Sequence, residues 1–372
     1  MRVDKAFYGE KLRFARLLNG YTQQETGDLV STTRQYTHQM EAGMKFPADD
    51  VLAIICEEFR VLPEFFESPL GNDIKSEQCH FRKRRTIQVG LVYRAMAFST
   101  IFETLVSFIH DNLDLPSKNI PFIDQTSEAY RNEEIELAAE KCRDVWGLGL
   151  DNPISKVTRA LENAGIVITE FNGVSDKVDA MSFNRKHPII VRNIAKPSVC
   201  RMRFDLSHEC GHLVLHDGVE TGDRVTESEA DKFASAFLFP RSAFLQEFGN
   251  MIGRRLDWNH IFQLKIRWGM SARAIVYRAH YLGLMDAKQY RSANIHLNKT
   301  GQSKVENFDD QIAPETPELL ASSFSAMNDH LGISFSYISN FLGISNELLS
   351  ELTGIHPSKD DEMSNVHPVR FV

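Results

Sequence analysis

The sequence predicts an α+β fold that is mainly helical, on three observations. Apolar residues recur at helical spacing through most of the 372 residues. One window, 166–193, switches to short β-branched runs. A polar stretch marked by glycine and proline, SPLGNDIKSEQCH at 68–80, separates a small helical start from the rest.

The elements follow in order. Leu12, Phe14, Ala15, Leu17 and Leu18 form the apolar stripe of a first helix, which Asn19-Gly20 ends. Thr22 is placed to cap a second, short helix through Val30. A Ser/Thr turn at 31–33 leads to a third over Arg34–Met40, stopped near Gly43. Pro47 and Asp49 open a fourth carrying Val51, Leu52, Ile54, Ile55 and Phe59, and Pro63 starts one more turn. After the linker, the basic run Arg82-Lys83-Arg84-Arg85 reads as a solvated helix start, with added phosphate contacts as the alternative, before a long helix from Val89 to Leu113. Further helices are expected over Ser127–Val145 and Pro153–Asn163. Gly165 then switches the period. IVITEF at 166–171, DAMSF at 179–183 and PIIVRN at 188–193 read as a small sheet. Helices resume at Ser198 and run, with breaks, to Leu284; the tail is polar and then helical over Pro317–Thr353.

Composition is that of a globular chain, with 42% apolar and 25% charged residues, and the length suits two to three domains. No run approaches the ~18 apolar residues of a membrane span, so no membrane partner is expected. The start, MRVDKAFYGEKLRFARLL, lacks an uninterrupted apolar segment and does not read as a signal peptide. Five scattered cysteines without a C-x-x-C pair argue against a disulfide framework or a cysteine zinc cluster, and for a reducing, cytoplasmic setting. A net charge of −8 gives no support to wholesale nucleic-acid binding but leaves room for a small DNA-reading module.

The chemistry lies in SHECGHLVLH at 207–216. His208 and His212 are four apart, so a helix aims both imidazoles at one point where a metal ion can sit. Glu209, one residue on, is placed to act as general base on a metal-polarised water. Zinc is the default ion for a His/carboxylate site with an open position. In TESEADKFASAFLFP at 226–240, Glu227 is the natural third ligand, and Asp231 one turn later can accept the other ring N–H of a ligating histidine. Glu229 is assigned to solvent, Cys210 to the core, and His216 to a structural place. Tyr277, Arg278 and His280 each read as core packing or an ion-pair partner, and one of them can alternatively serve an oxyanion. Either PIIVRN or DAMSF is a candidate edge strand for an extended peptide.

These residues carry a resemblance. RFDLSHECGHLVLH followed by ESEADKFASAFLFP resembles the ImmA/IrrE metallo-endopeptidase family, with support from 135–168 and from LKIRWGMSARAIVYRAHYLGL at 264–284. It implies a gluzincin-like fold with ligands His208, His212 and Glu227, base Glu209, and a repressor-like protein as substrate. Cys210 departs from the family's larger aliphatic residue.

Residues 9–66 resemble an Xre/Cro-type helix-turn-helix, on LRFARLLNGYTQQE, TRQYTHQMEAG and the helix at 51–59. Gln23, Arg34, Gln35 and Gln39 would be its DNA contacts, since arginine and amides read base edges and hold phosphate. Thr26, Gly27, Ser31 and Thr37 depart from that pattern's Leu, Ala, turn Gly and core aliphatic. Seven basic residues stand against five acidic ones through residue 47, little electrostatic help; a homodimer would double the phosphate contacts.

The expected organisation is a helix-turn-helix domain at 1–67, a linker and long helix at 68–125, a mainly helical gluzincin-like zinc peptidase domain with a small sheet at 126–290, and a helical C-terminal region at 291–372. The expected function is a DNA-binding transcriptional regulator with zinc-dependent endopeptidase activity, its partners a DNA operator and a repressor-like protein. The rival is a non-proteolytic repressor or antitoxin-like regulator that uses the zinc fold as a sensor.

Overall fold

In the computed structural model the described residues are 6–69, 80–81, 89–123, 129–171, 180–184, 186–193, 198–219, 221–249, 255–303 and 305–357. The basic run Arg82–Arg85 and the first residue of DAMSF, Asp179, lie outside them.

The helical start follows its caps. Helix α1 spans Gly9–Leu18 and α2 spans Gln23–Leu29, the latter held by a capping box between Thr22 and Glu25. Helix α3, Arg34–Glu41, is capped by the Thr33 side chain, and α4 spans Asp49–Phe59. The departures at the α2–α3 turn are mutually consistent. A Cβ on Gly27 would lie 2.9 Å from the Thr33 carbonyl carbon, so glycine lets α3 start close against α2. The buried Thr26 and Thr37 hydroxyls donate to the carbonyls of Thr22 and Thr33, so neither is left unsatisfied in the core. Ser31 takes the turn's left-handed position, φ 52°. An L-residue there costs about 1–2 kcal/mol relative to right-handed backbone. Ser31→Gly is therefore expected to raise stability by about 0.5–1 kcal/mol, since glycine's extra freedom when unfolded offsets part of the relief. A chemical-denaturation midpoint that falls would contradict this.

Helix α5 spans Val89–Asn112, α6 Asn132–Val145 and α7 Val157–Asn163. The last two start later than the periodicity predicts; Lys156 is extended and serves as the N-cap of α7. Gly165 turns the chain with φ +80°, and a Cβ there would lie 2.6 Å from the Ser117 carbonyl oxygen. The sheet has four strands: β1 (His80–Phe81), β2 (Val167–Phe171), β3 (Ala180–Asn184) and β4 (Pro188–Asn193), in the order β1-β3-β4-β2. β4 runs parallel to β2 and antiparallel to β3; β1 is antiparallel to β3.

The sheet divides two cores. Val167, Met181, Phe183, Ile189 and Val191 pack on one side with α1–α5 and the C-terminal helices. Ile168 and Ile190 pack on the other. That second core is built on α6, α7, α8 (Val199–Leu215), α9 (Arg224–Leu238), α10 (Arg241–Phe248), α11 (Trp258–Trp268), α12 (Ala272–Tyr281) and α13 (Ala287–Lys299). The tail forms three helices, α14 (Leu319–Leu331), α15 (Phe335–Leu342) and α16 (Asn346–Thr353). Gly332 and Gly343, both at φ +67°, break what reads as one helical segment. These helices join the sheet to the N-terminal module: Thr169 Oγ1 donates to the Leu352 carbonyl, and Arg60 pairs with Glu351. Among the described residues no helix is long and apolar enough to cross a membrane.

Candidate metal centre

Helix α8 is buried on nearly every face from Leu206 to Leu215. Glycine at 211 sets its distance from α9, because a Cβ there would press on Phe233 at 3.1 Å. That close approach brings α9's Glu227 over the two histidines of α8. His208 Nε2 and His212 Nε2 are 3.1 Å apart. Glu227 Oε2 lies 3.5 Å from His208 Nε2, and Oε1 lies 3.5 Å from His212 Nε2.

The three groups fit a metal ion. Bonds of about 2.0–2.1 Å in a tetrahedron separate neighbouring ligand atoms by roughly 3.4 Å, close to the spacings observed. The remaining ring nitrogens face away from that point. His208 Nδ1 meets Asp231 Oδ1 at 2.8 Å, and His212 Nδ1 meets His216 Nδ1 at 2.9 Å. Each Nε2 is thus left to face the convergence point. Among the described residues this is the only group of three such side chains that could hold a metal ion.

Burial alone would depress the His208 imidazole, but hydrogen bonds to Asp231 and Glu227 outweigh it and raise the pKa to about 10. Burial pushes His212 down to about 4. Burial would raise Glu227, yet its hydrogen bonds to both histidines bring it to about 2. In the metal-free cluster the carboxylates of Asp231 and Glu227 favour a proton on the histidine pair, and an incoming ion must displace it. Zinc affinity is expected to rise about tenfold per pH unit near neutrality. Calorimetry in buffers of different ionisation enthalpy should count at least one proton released; a pH-independent affinity would contradict it.

Glu209 is buried beside this cluster, and burial pushes its carboxyl up to about 7, with His208 and the Ser182 hydroxyl holding it back. Ser182 Oγ, on β3, donates to Glu209 Oε2 at 2.6 Å.

Several expected placements change. Glu229, assigned above to solvent, is buried: its Oε2 lies 2.9 Å from His216 Nε2, and its Oε1 accepts from the Tyr130 backbone N–H at 2.7 Å. The reason is packing, since α9 lies between α6 and α8 and presents Glu229 to both. Sequence offered one signal, the repeat of histidine at 208, 212 and 216. Cys210 is core, as expected. Arg278 is buried and committed to Glu136 through two bonds, and His280 Nδ1 bonds the Met285 carbonyl. Tyr277 lines a cleft of about 450 Å³ with Asp231, Asp205, Arg201 and Arg273, beyond the outer nitrogen of His208. PIIVRN is not an edge: β4 is paired on both sides, and its unbroken apolar run is the mark of an internal strand. DAMSF is not a free edge either: β3 pairs with β4 on one side and, at Met181 and Ser182, with Phe81 and His80 of β1 on the other.

In the N-terminal module Arg34 and Gln35 are exposed and Gln39 is half-buried. Gln23 is half-buried too, and its amide nitrogen donates to Glu41 Oε2, which also accepts from Arg16. Arg13, Gln24, Arg34 and Tyr93 line a groove beside it.

A protein-family model described as the IrrE N-terminal-like domain, a peptidase family, matches residues 161–280. The match spans His208, Glu209, His212 and Glu227. It supports the peptidase part of the resemblance and does not reach the N-terminal module. No curated protein matches the chain.

Proposed function

We propose that this chain, which over residues 161–280 is similar to the IrrE N-terminal-like peptidase domain, is a zinc-dependent endopeptidase joined to a DNA-reading module, and that it regulates transcription by cleaving a repressor-like protein. The observation that carries the reading is the convergence of His208, His212 and Glu227 with Glu209 beside them. A bound zinc supplies Lewis acidity, lowering the pKa of water and polarising a carbonyl. The chain's own residues do the rest. His208, His212 and Glu227 hold the ion. Glu209 takes a proton from the attacking water and passes it to the leaving amine. Ser182 holds one oxygen of that carboxylate, leaving Oε1 to meet the water. Asp231 fixes the ring of His208.

The DNA-reading part rests on α2 and α3, whose capped ends set a short turn, and on Arg34 and Gln35 standing exposed at the start of α3. Gln23 has a supporting place, held against Glu41, with Gln39 further along α3. A homodimer would let two such modules read paired half-sites.

Metal analysis of the purified full chain tests the centre. Wild type is expected to hold one zinc, and Glu227→Ala to hold far less. Incubation with repressor-like proteins encoded nearby should give cleavage that a chelator stops. A chain that binds no metal sinks the reading. A zinc-loaded chain that binds DNA and regulates unchanged as Glu209→Gln favours the non-proteolytic rival.

A further inference from the structure

We propose that His216 and Glu229 form a proton-ordered relay behind the metal ligand His212, fixing which of its nitrogens faces the ion. The inference rests on the metal-centre reading above and deepens it. It begins with the 2.9 Å contact between His212 Nδ1 and His216 Nδ1. Two imidazole nitrogens at that distance share one hydrogen, so one donates and the other accepts. His212 Nε2 points at His208 Nε2 and Glu227, the position of the ion. A ring that ligates through Nε2 carries its hydrogen on Nδ1, so His212 donates and His216 Nδ1 accepts. A neutral histidine that accepts at Nδ1 bears its hydrogen on Nε2. That atom lies 2.9 Å from Glu229 Oε2, a carboxylate that accepts. The second carboxylate oxygen is taken by the Tyr130 backbone N–H at 2.7 Å. A doubly protonated His216 does not fit, because it would set N–H against N–H at His212.

Burial gives this order its force. His216 is 1% exposed, Glu229 3% and Tyr130 7%, so water is poorly placed to substitute for a lost partner. The branch behind His208 differs: there the ring meets a carboxylate directly, and the Asp231 side chain is 32% exposed. One ligand is steadied from a wet side and the other from a sealed one. His216 and Glu229 are positioning residues. They set the tautomer and ring orientation of His212, and they tie α8 to α9 and to the chain entering α6.

The test uses the full-length chain and zinc alone, by competition with a chromophoric chelator. His216→Ala is expected to weaken zinc binding about 10–100-fold. Two isosteric variants separate positioning from space-filling. In His216→Asn the amide oxygen takes the place of Nδ1 and still accepts from His212, so affinity should stay within a few-fold of wild type. In His216→Gln the amide nitrogen takes the place of Nε2, keeping Glu229 company while leaving His212 without an acceptor, so affinity should fall nearly as far as in the alanine variant. Nitrogen-15 histidine spectra of the zinc-loaded wild type should give His216 as the Nε2–H tautomer. This readout needs no variant to fold. An Nδ1–H His216, an unchanged alanine variant, or equal losses in the asparagine and glutamine variants would overturn the relay alone. A wild type that takes up no zinc would overturn the metal-centre reading with it.

Discussion

Glu209→Gln is expected to keep its zinc and lose peptide hydrolysis, with kcat falling by about 10²–10⁴. The amide is nearly isosteric, and Glu209 is not one of the three converging side chains, so the ligands stay in place. It has no lone pair basic enough to take a proton from water. Ser182 Oγ can still donate to the amide oxygen, which keeps the side chain seated. The loss is therefore one of proton transfer rather than of packing, and stability should not drop; removing a carboxyl that burial has already pushed up to about 7 relieves a desolvation cost. A pH profile of the wild type adds a second measurement. Activity should fall on the acid side as Glu209 gains its proton. Ser182→Ala should move this limb to higher pH, because the hydroxyl's bond favours the charged form. Full cleavage by Glu209→Gln would remove Glu209 from the chemistry and leave the cluster as a metal-binding element of a regulator.

The convergence of His208, His212 and Glu227 was legible in the sequence because its geometry is local. Four-residue spacing on a helix puts His208 and His212 together whatever the helix packs against. Glu227 and Asp231 follow by the same rule. Caps and breaks were legible for the same reason: Thr22, Asn19-Gly20 and Gly165 act within a few residues of themselves. What was not legible depends on which elements meet. Glu229 looks like a surface residue until α9 is placed between α6 and α8. The strand order needs β1, two residues from a polar linker, and no period reveals so short a strand. Gly332 and Gly343 were visible, but apolar residues on both sides hid their effect. The place of the C-terminal helices is set by partners more than 100 residues away in the chain, such as Arg203 with Glu315 and Thr169 with Leu352.

The first of those pairs makes the largest stability prediction. Arg203→Ala is expected to destabilise the protein by about 3–5 kcal/mol. Arg203 sits on α8 a turn before the metal ligands, 3% exposed, and its Nη1 is paired with Glu315, itself 6% exposed. Nη2 donates to the Ile154 carbonyl at 2.7 Å. Glu315 in turn accepts from Thr158 N at 3.0 Å and Thr158 Oγ1 at 3.3 Å. Cutting away the guanidinium leaves a buried carboxylate without its counter-charge and a carbonyl without its donor, and Thr158 alone compensates poorly. Gly269, at φ +62°, confirms how closely the site is packed: a Cβ there would stand 2.6 Å from Arg203 Nε. The double variant Arg203→Met with Glu315→Leu is expected to recover part of the loss, because it fills the space and buries no unpaired charge. Recovery should be incomplete, since Ile154 still lacks its donor. Denaturant unfolding of the two single variants and the double variant closes the cycle. A single-variant cost below about 1 kcal/mol, the range of exposed pairs, would mean that water reaches Glu315, and the C-terminal region would then not be fastened to α8 by this ion pair.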